Sequence, residues 1–219
     1  MRIAMILSGC GVKDGSEIHE TVCATYCFEE RGHSVHFYAP NRPQPQVIDH
    51  LSGKSTAEER NILSESARIA RGQIHPIEKL NPISYDAIVF PGGMGAVTNL
   101  AYQDKELSKL ILEPDIEDLI IRAHAANCTL CFMCIAPLLV AQMFKNPRMT
   151  FGDMNPIAKQ AQELGANVVE CKVDEACVDE ELNIISVPAY MIAKNIVECM
   201  SSAKALVDAL EKHMTKSRN

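Results

Sequence analysis

The chain has 219 residues and a mass of 24.1 kDa, enough for one domain, since domains usually run to ~100–200 residues. Hydrophobic residues make up 47% and charged residues 22%, which excludes disordered, collagen-like and coiled-coil chains and allows a full core without disulfide staples. A net charge of −7 and no long Lys/Arg block exclude the basic patch that nucleic-acid binding requires.

In chain order, residues 2–7 read as a buried strand, and residues 17–31 as a helix with Ile18, Val22 and Tyr26 at four-residue spacing and Gly32 as its stop. Residues 34–38 form a second expected strand. Residues 40–54, with Pro40, Pro43 and Pro45, have no period and form a long connection, a place where function often lies. A helix is expected over 56–71, a strand over 86–90, a helix over 113–127 and a strand over 129–133. A helix then runs from Ile135 to about Phe144, with further elements at 155–164 (helix), 167–171 and 183–187 (strands) and 189–213 (helix). The tail from 213 to 219 is polar and expected to fray. Alternating βαβα with apolar strands predicts a mostly parallel sheet with helices on both faces, in one domain spanning 1–219.

Residues 123–144 lack Asp, Glu, Lys and Arg, yet His124, Asn127, Thr129, Pro137 and Gln142 mark them as a buried strand and helix rather than a membrane span. Nine cysteines, an odd number set in apolar segments with no leader-like stretch before Ile3, predict free thiols and a cytoplasmic home.

Ligands of such sheets bind beyond the carboxyl ends of the strands, which directs attention to three segments. In Leu130-Cys131-Phe132-Met133-Cys134-Ile135-Ala136-Pro137 a strand ends at Cys134 and a helix starts at once. That elbow projects a side chain out of the sheet, and the helix start should favour thiolate and offer amides to an oxyanion. A small core cysteine is the plainer reading. Cys128, Cys131 and Cys134 have C-x2-C-x2-C spacing, but on a strand they span ~20 Å and Cys131 points to the opposite face, so no metal site is expected.

The second segment, Gly9-Cys10-Gly11-Val12-Lys13-Asp14-Gly15-Ser16-Glu17-Ile18-His19-Glu20, has Asp14 where a dinucleotide fingerprint needs glycine. Asp14 or Ser16 is expected to cap the following helix, with Glu17 completing a capping box. Glu17 and Glu20 share a helical face. The third, Phe90-Pro91-Gly92-Gly93-Met94, ends a strand in a turn that can present backbone N–H groups. Together the three supply a nucleophile, a carboxylate and an oxyanion hole.

These motifs resemble the PfpI-type branch of the class I glutamine amidotransferase-like superfamily. Within it the chain looks like the ElbB family, linked by name to isoprenoid biosynthesis and described as glyoxalase-like. Further matching phrases are Val47-Ile48-Asp49-His50-Leu51, Val173-Asp174-Glu175 and Pro188-Ala189-Tyr190-Met191. The resemblance implies a flavodoxin-like three-layer α/β sandwich and a homodimer. It implies Cys134 as the reactive cysteine, Glu20 sharing a proton with its sulfur, and Gly93 and Ile135 amides as the oxyanion hole. The activity implied is conversion of a small aldehyde such as methylglyoxal to a hydroxy acid, with no cofactor or metal. Gly92, Glu17, His19 and His50 are candidates to line the substrate. The one histidine after Cys134 is His213, so a Cys-His-Glu triad of glutaminase order is absent. A redox-responsive accessory protein, with Cys134 as the oxidisable thiol, is the alternative.

Overall fold

A computed structural model describes residues 1–104 and 109–217 of the protein. The strands are β1 (Arg2–Ile6), β2 (Ser34–Ala39), β3 (Ile74–Pro76), β4 (Ala87–Phe90), β5 (Ala101–Asp104), β6 (Lys109–Leu112), β7 (Thr129–Met133), β8 (Arg148–Met149), β9 (Asn167–Val168), β10 (Cys177–Asp179) and β11 (Ile184–Val187). The helices are α1 (Ile18–Glu30), α2 (Ile62–Ile69), α3 (Gly95–Thr98), α4 (Pro114–Ala125), α5 (Pro156–Glu163) and α6 (Ile196–Ser217).

Seven strands form the main sheet in the order β10-β11-β7-β4-β1-β2-β3. All neighbours pair in parallel except β10, which runs antiparallel to β11 at the edge. Strands β4 and β7 are buried at every residue, as a sheet covered on both faces requires. The right-handed crossover rule assigns α1 and α2 to one face and α4 to the other, and α6 packs on α1. This is the mostly parallel sheet expected from the alternation of elements, in the flavodoxin-like α/β architecture that the resemblance implied.

Helix α6 shows why packing, more than propensity, sets the long elements. Cys199, Ala203, Leu206, Val207 and Leu210 form its buried stripe. Its register on α1 is fixed by the Cys27 thiol donating to Met200 Sδ at 3.3 Å and by Arg31 pairing with Glu211 at 2.8 Å.

Several expected elements differ. The helix expected over 56–71 begins at Ile62, because Asn61 caps it and the residues before it form a strap. The strand expected over 167–171 is two residues long and pairs with β8 in a separate sheet. The helix expected from Ile135 to Phe144 is a 3-10 segment, Ala136–Val140, buried along its length and so without an amphipathic period. The tail expected to fray from 213 continues α6 to Ser217, and His213 Nε2 lies 2.7 Å from Asn183 Oδ1; residues 218–219 lie outside the described residues. Among the described residues no helix is long and apolar enough to cross a membrane.

Candidate active site

Strands β11, β7, β4 and β1 are neighbours, and the chain reverses its winding between β4 and β1, where a crevice opens in such sheets. Their carboxyl ends lead into the 188–190 turn, the Cys134 elbow, the Pro91-Gly92-Gly93 turn and the loop ahead of α1.

Cys134 has φ +57°, the left-handed region that glycine favours. The conformation costs ~1–2 kcal/mol in a residue with a Cβ, and it is what turns the side chain off the sheet. Ladders on both sides of β7 hold it there, and Cys134 N–H still donates to Val187 O at 3.0 Å. Replacing Cys134 removes the thiol in either of two variants, but only glycine also relieves the strain. Cys134→Gly is therefore expected to be more stable than Cys134→Ala by ~0.5–1 kcal/mol in urea unfolding, although glycine usually loses that comparison. An advantage for alanine would mean the elbow is unstrained.

Glu20 stands in the first turn of α1 with no solvent exposure. Its carboxylate accepts the Gly92 N–H at 2.8 Å and the Tyr190 N–H at 3.1 Å, and it hydrogen-bonds the Cys134 thiol. Burial, reinforced by the neighbouring Glu17 carboxylate, pushes Glu20 up to about 7; the bonds from Tyr190, Gly92 and Cys134 oppose the shift. The Gly93 and Ile135 amides point at the Cys134 sulfur and favour its anion. Burial and the Glu20 charge outweigh them and hold the thiol well above its ordinary value. The expectation that a helix start would leave Cys134 as thiolate is thus corrected: the following segment is a short 3-10 turn, and the dominant neighbour is an acid. A single proton is shared between the two groups, and thiolate forms when Glu20 takes it.

The glycines explain how the groups come so close. A Cβ on Gly92 would lie 2.4 Å from Cys134 Cβ and 2.7 Å from Glu20 Oε2, so no side chain fits. Gly92, expected to line the substrate, lies against Cys134 and ties to both glutamates: its N–H goes to Glu20 and its C=O accepts Glu17 N–H at 2.8 Å. Gly93 has φ +92°, which turns its amide toward the sulfur.

Glu17 is itself the N-cap of α1, its Oε2 accepting Glu20 N–H at 2.7 Å. Asp14 and Ser16, expected as caps, are used elsewhere: Ser16 Oγ accepts Ser8 N–H, and Asp14 accepts Ile48 N–H. His19 is exposed, and its Nδ1 lies 2.8 Å from the Tyr190 hydroxyl, beside the Glu20 pocket rather than against the sulfur. His50 rests on Gly11 and Lys13 in the loop before α1. His213 meets Asn183 at the start of β11, the opposite end of the sheet from Cys134. Sequence reasoning missed Tyr190 as a partner of Glu20. It acts through its backbone N–H, placed by Ala189 at φ +44°; the signals were Pro188 directly after a buried strand and the Pro188-Ala189-Tyr190-Met191 phrase of the resemblance, neither of which assigns that role. No group of three or more His, Cys, Asp or Glu among the described residues is arranged to hold a metal ion.

No protein-family model matches the chain. The human mitochondrial protein "glutamine amidotransferase-like class 1 domain-containing protein 3" is 38% identical over 200 residues, covering 87% of this chain and 75% of the relative. A crystal structure of an isoprenoid biosynthesis protein with an amidotransferase-like domain from Ehrlichia chaffeensis superposes with a TM-score of 0.89 at 29% identity, covering 97% of this chain and all of that one. Glyoxalase III from Candida albicans shares the fold, with a TM-score of 0.58 at 13% identity over 95% of this chain and 97% of that one. With this identity over most of both chains, and the same architecture, the protein belongs to the class I glutamine amidotransferase-like superfamily.

Proposed function

We propose that the protein is a cofactor-independent, glyoxalase-like lyase of the ElbB type, acting on a small 2-oxoaldehyde such as methylglyoxal through Cys134 and Glu20. The observation that carries this reading is the buried Cys134–Glu20 pair under the Gly93 and Ile135 amides, with Glu20 held at about 7. Cys134 is only 9% exposed, so a small electrophile reaches it more readily than a peptide or a glutaminyl group and its partner.

Glu20 accepts the thiol proton as the sulfur adds to the aldehyde carbon, and passes it to the aldehyde oxygen, giving a hemithioacetal. The amides steady the charge that develops during addition. Glu20 then moves the C1 proton to C2 through an enediol, which oxidises C1 and reduces C2 within one molecule and leaves a thioester on Cys134. Water hydrolyses the thioester to lactate and returns the thiol. The balance closes with water as the only co-reactant. A carboxyl poised near neutrality suits both directions of proton transfer.

Glutaminase chemistry is disfavoured by His213 lying at the far end of the sheet. The redox-responsive alternative needs a thiolate that persists in the resting protein, where burial with the Glu20 charge favours the thiol; the lyase needs one only as Glu20 takes the proton during addition. A homodimer remains part of the proposal, tested by sedimentation. So does a reducing compartment for its nine cysteines, all of them free: the cytoplasm, or the mitochondrial location named for the human relative.

The deciding experiment is turnover of methylglyoxal to lactate in the presence of a chelator and without glutathione, comparing wild type with Cys134→Ser. We expect turnover in wild type and a loss of at least ~1000-fold in the variant, as for removal of a nucleophile. Wild type without activity while Cys134 is shown to be reduced would overturn the lyase reading.

A further inference from the structure

Residues 41–61 form a strap that crosses the loop between β1 and α1. Ile48 N–H donates to the buried Asp14 carboxylate at 2.7 Å, and Lys13 Nζ donates to His50 O at 3.1 Å. The Nε2 edge of the His50 ring lies close against the loop: a Cβ on Gly11, at φ +126°, would be 2.5 Å from His50 Nε2. Two bonds fix the protonation state of that ring. Lys13 N–H is a donor and lies 3.1 Å from Nε2, so Nε2 must accept; Nδ1 lies 3.0 Å from Ile48 O, so Nδ1 must donate. Only neutral His50 with its proton on Nδ1 makes both.

The loop clasped in this way is what holds the Gly93 turn. Val12 O accepts Met94 N–H at 2.8 Å, Gly15 O accepts Gly95 N–H at 3.0 Å, and Glu17 N–H donates to Gly92 O at 2.8 Å. Gly93 sits inside these three bonds with its N–H on the Cys134 sulfur.

We propose that neutral His50 is a positioning residue: it latches the strap onto the 9–16 loop, and the loop in turn holds the Gly93 amide on Cys134. Nε2 is the acceptor for Lys13 N–H, and Asp14 Oδ1 lies 3.8 Å from the same nitrogen. Lys13 and Asp14 on the loop meet the residue directly, and Asp49 precedes it on the strap. The His50 side chain is 38% exposed, so solvent reaches it. The inference depends on the geometry around Cys134 and not on the aldehyde chemistry.

Amide hydrogen exchange at Met94 and Gly95, with iodoacetamide alkylation of Cys134 as the second readout, tests it on the whole protein. His50→Ala is expected to lower protection at both amides about tenfold at pH 8, the effect of losing one bond to a fixed donor, and to change the alkylation rate. His50→Gln places a carbonyl oxygen where Nε2 was, and it accepts from Lys13 N–H at any pH. His50→Gln should therefore restore the protection that His50→Ala loses. Equal protection in wild type and His50→Ala would overturn the proposal. So would a His50→Gln protein as loose as His50→Ala, which would mean that the bond to Lys13 N–H is not what holds the loop.

Discussion

Gly92→Ala should lower the reactivity of Cys134 by at least ~100-fold while leaving the protein folded. The added methyl meets Cys134 Cβ at 2.4 Å and Glu20 Oε2 at 2.7 Å, where ordinary contacts begin near 3.4 Å. Neither side gives way easily. Cys134 is fixed by its strand ladder, and Gly92 is tied at both its N–H and its C=O. Separating the thiol from its proton acceptor by about 1 Å is enough for a ~100-fold loss. The overpacking itself costs about 1–3 kcal/mol, or a fall in Tm of roughly 2–12 °C for a chain of this size. Gly165→Ala is the matched control, since its φ of +101° carries backbone strain but nothing lies within 4 Å of the new methyl. That variant should lose a little stability and keep full Cys134 alkylation. Equal alkylation rates in the two variants would mean that the packing between the Gly92 turn and the elbow does not govern the thiol.

The same turn shows what the sequence made legible and what it could not. Strands β1, β4 and β7 were readable because a strand covered on both faces must be apolar at every position, and the motifs at their ends followed from that. Edge strands had no such signature: β10 is three residues with no period, and β3 ends in Pro76. The elbow was readable from Cys134 and Pro137, but a helix was expected after it. Uniform burial of Ala136–Val140 hides the difference between a 3-10 turn and an α-helix. Glu20 was the harder case. An acidic residue in a first helical turn usually complements the helix dipole at the surface, and only the closing of α1 onto the Gly92 turn makes it a buried acid. The resemblance pointed to it; periodicity did not. Tyr190 had no side-chain signal at all, because what it gives Glu20 is a main-chain donor.

Glu20→Gln should flatten the pH dependence of stability and abolish turnover together. Folding raises Glu20 from 4.5 to about 7, so between those values the native state binds a proton that the unfolded chain has released. The stability associated with this proton is complete below about 4.5 and is lost as pH rises through about 7. The full burial of the group leaves the shift unscreened, and it amounts to about 3 kcal/mol, or roughly 6–12 °C in Tm. Gln cannot ionise. It also sets an NH2 group against either the Gly92 or the Tyr190 N–H, a mismatch costing about 1–3 kcal/mol at every pH. At pH 5 the variant should therefore melt below wild type, and by pH 8 the gap should close or reverse. Wild-type kcat/KM for methylglyoxal should climb with pH through about 7, as the carboxylate that accepts the thiol proton forms, and the variant should be inactive throughout. Melting curves of wild type and variant that stay parallel from pH 5 to 8 would show that Glu20 titrates as an ordinary acid. In that case it could not hold the proton that the addition step needs.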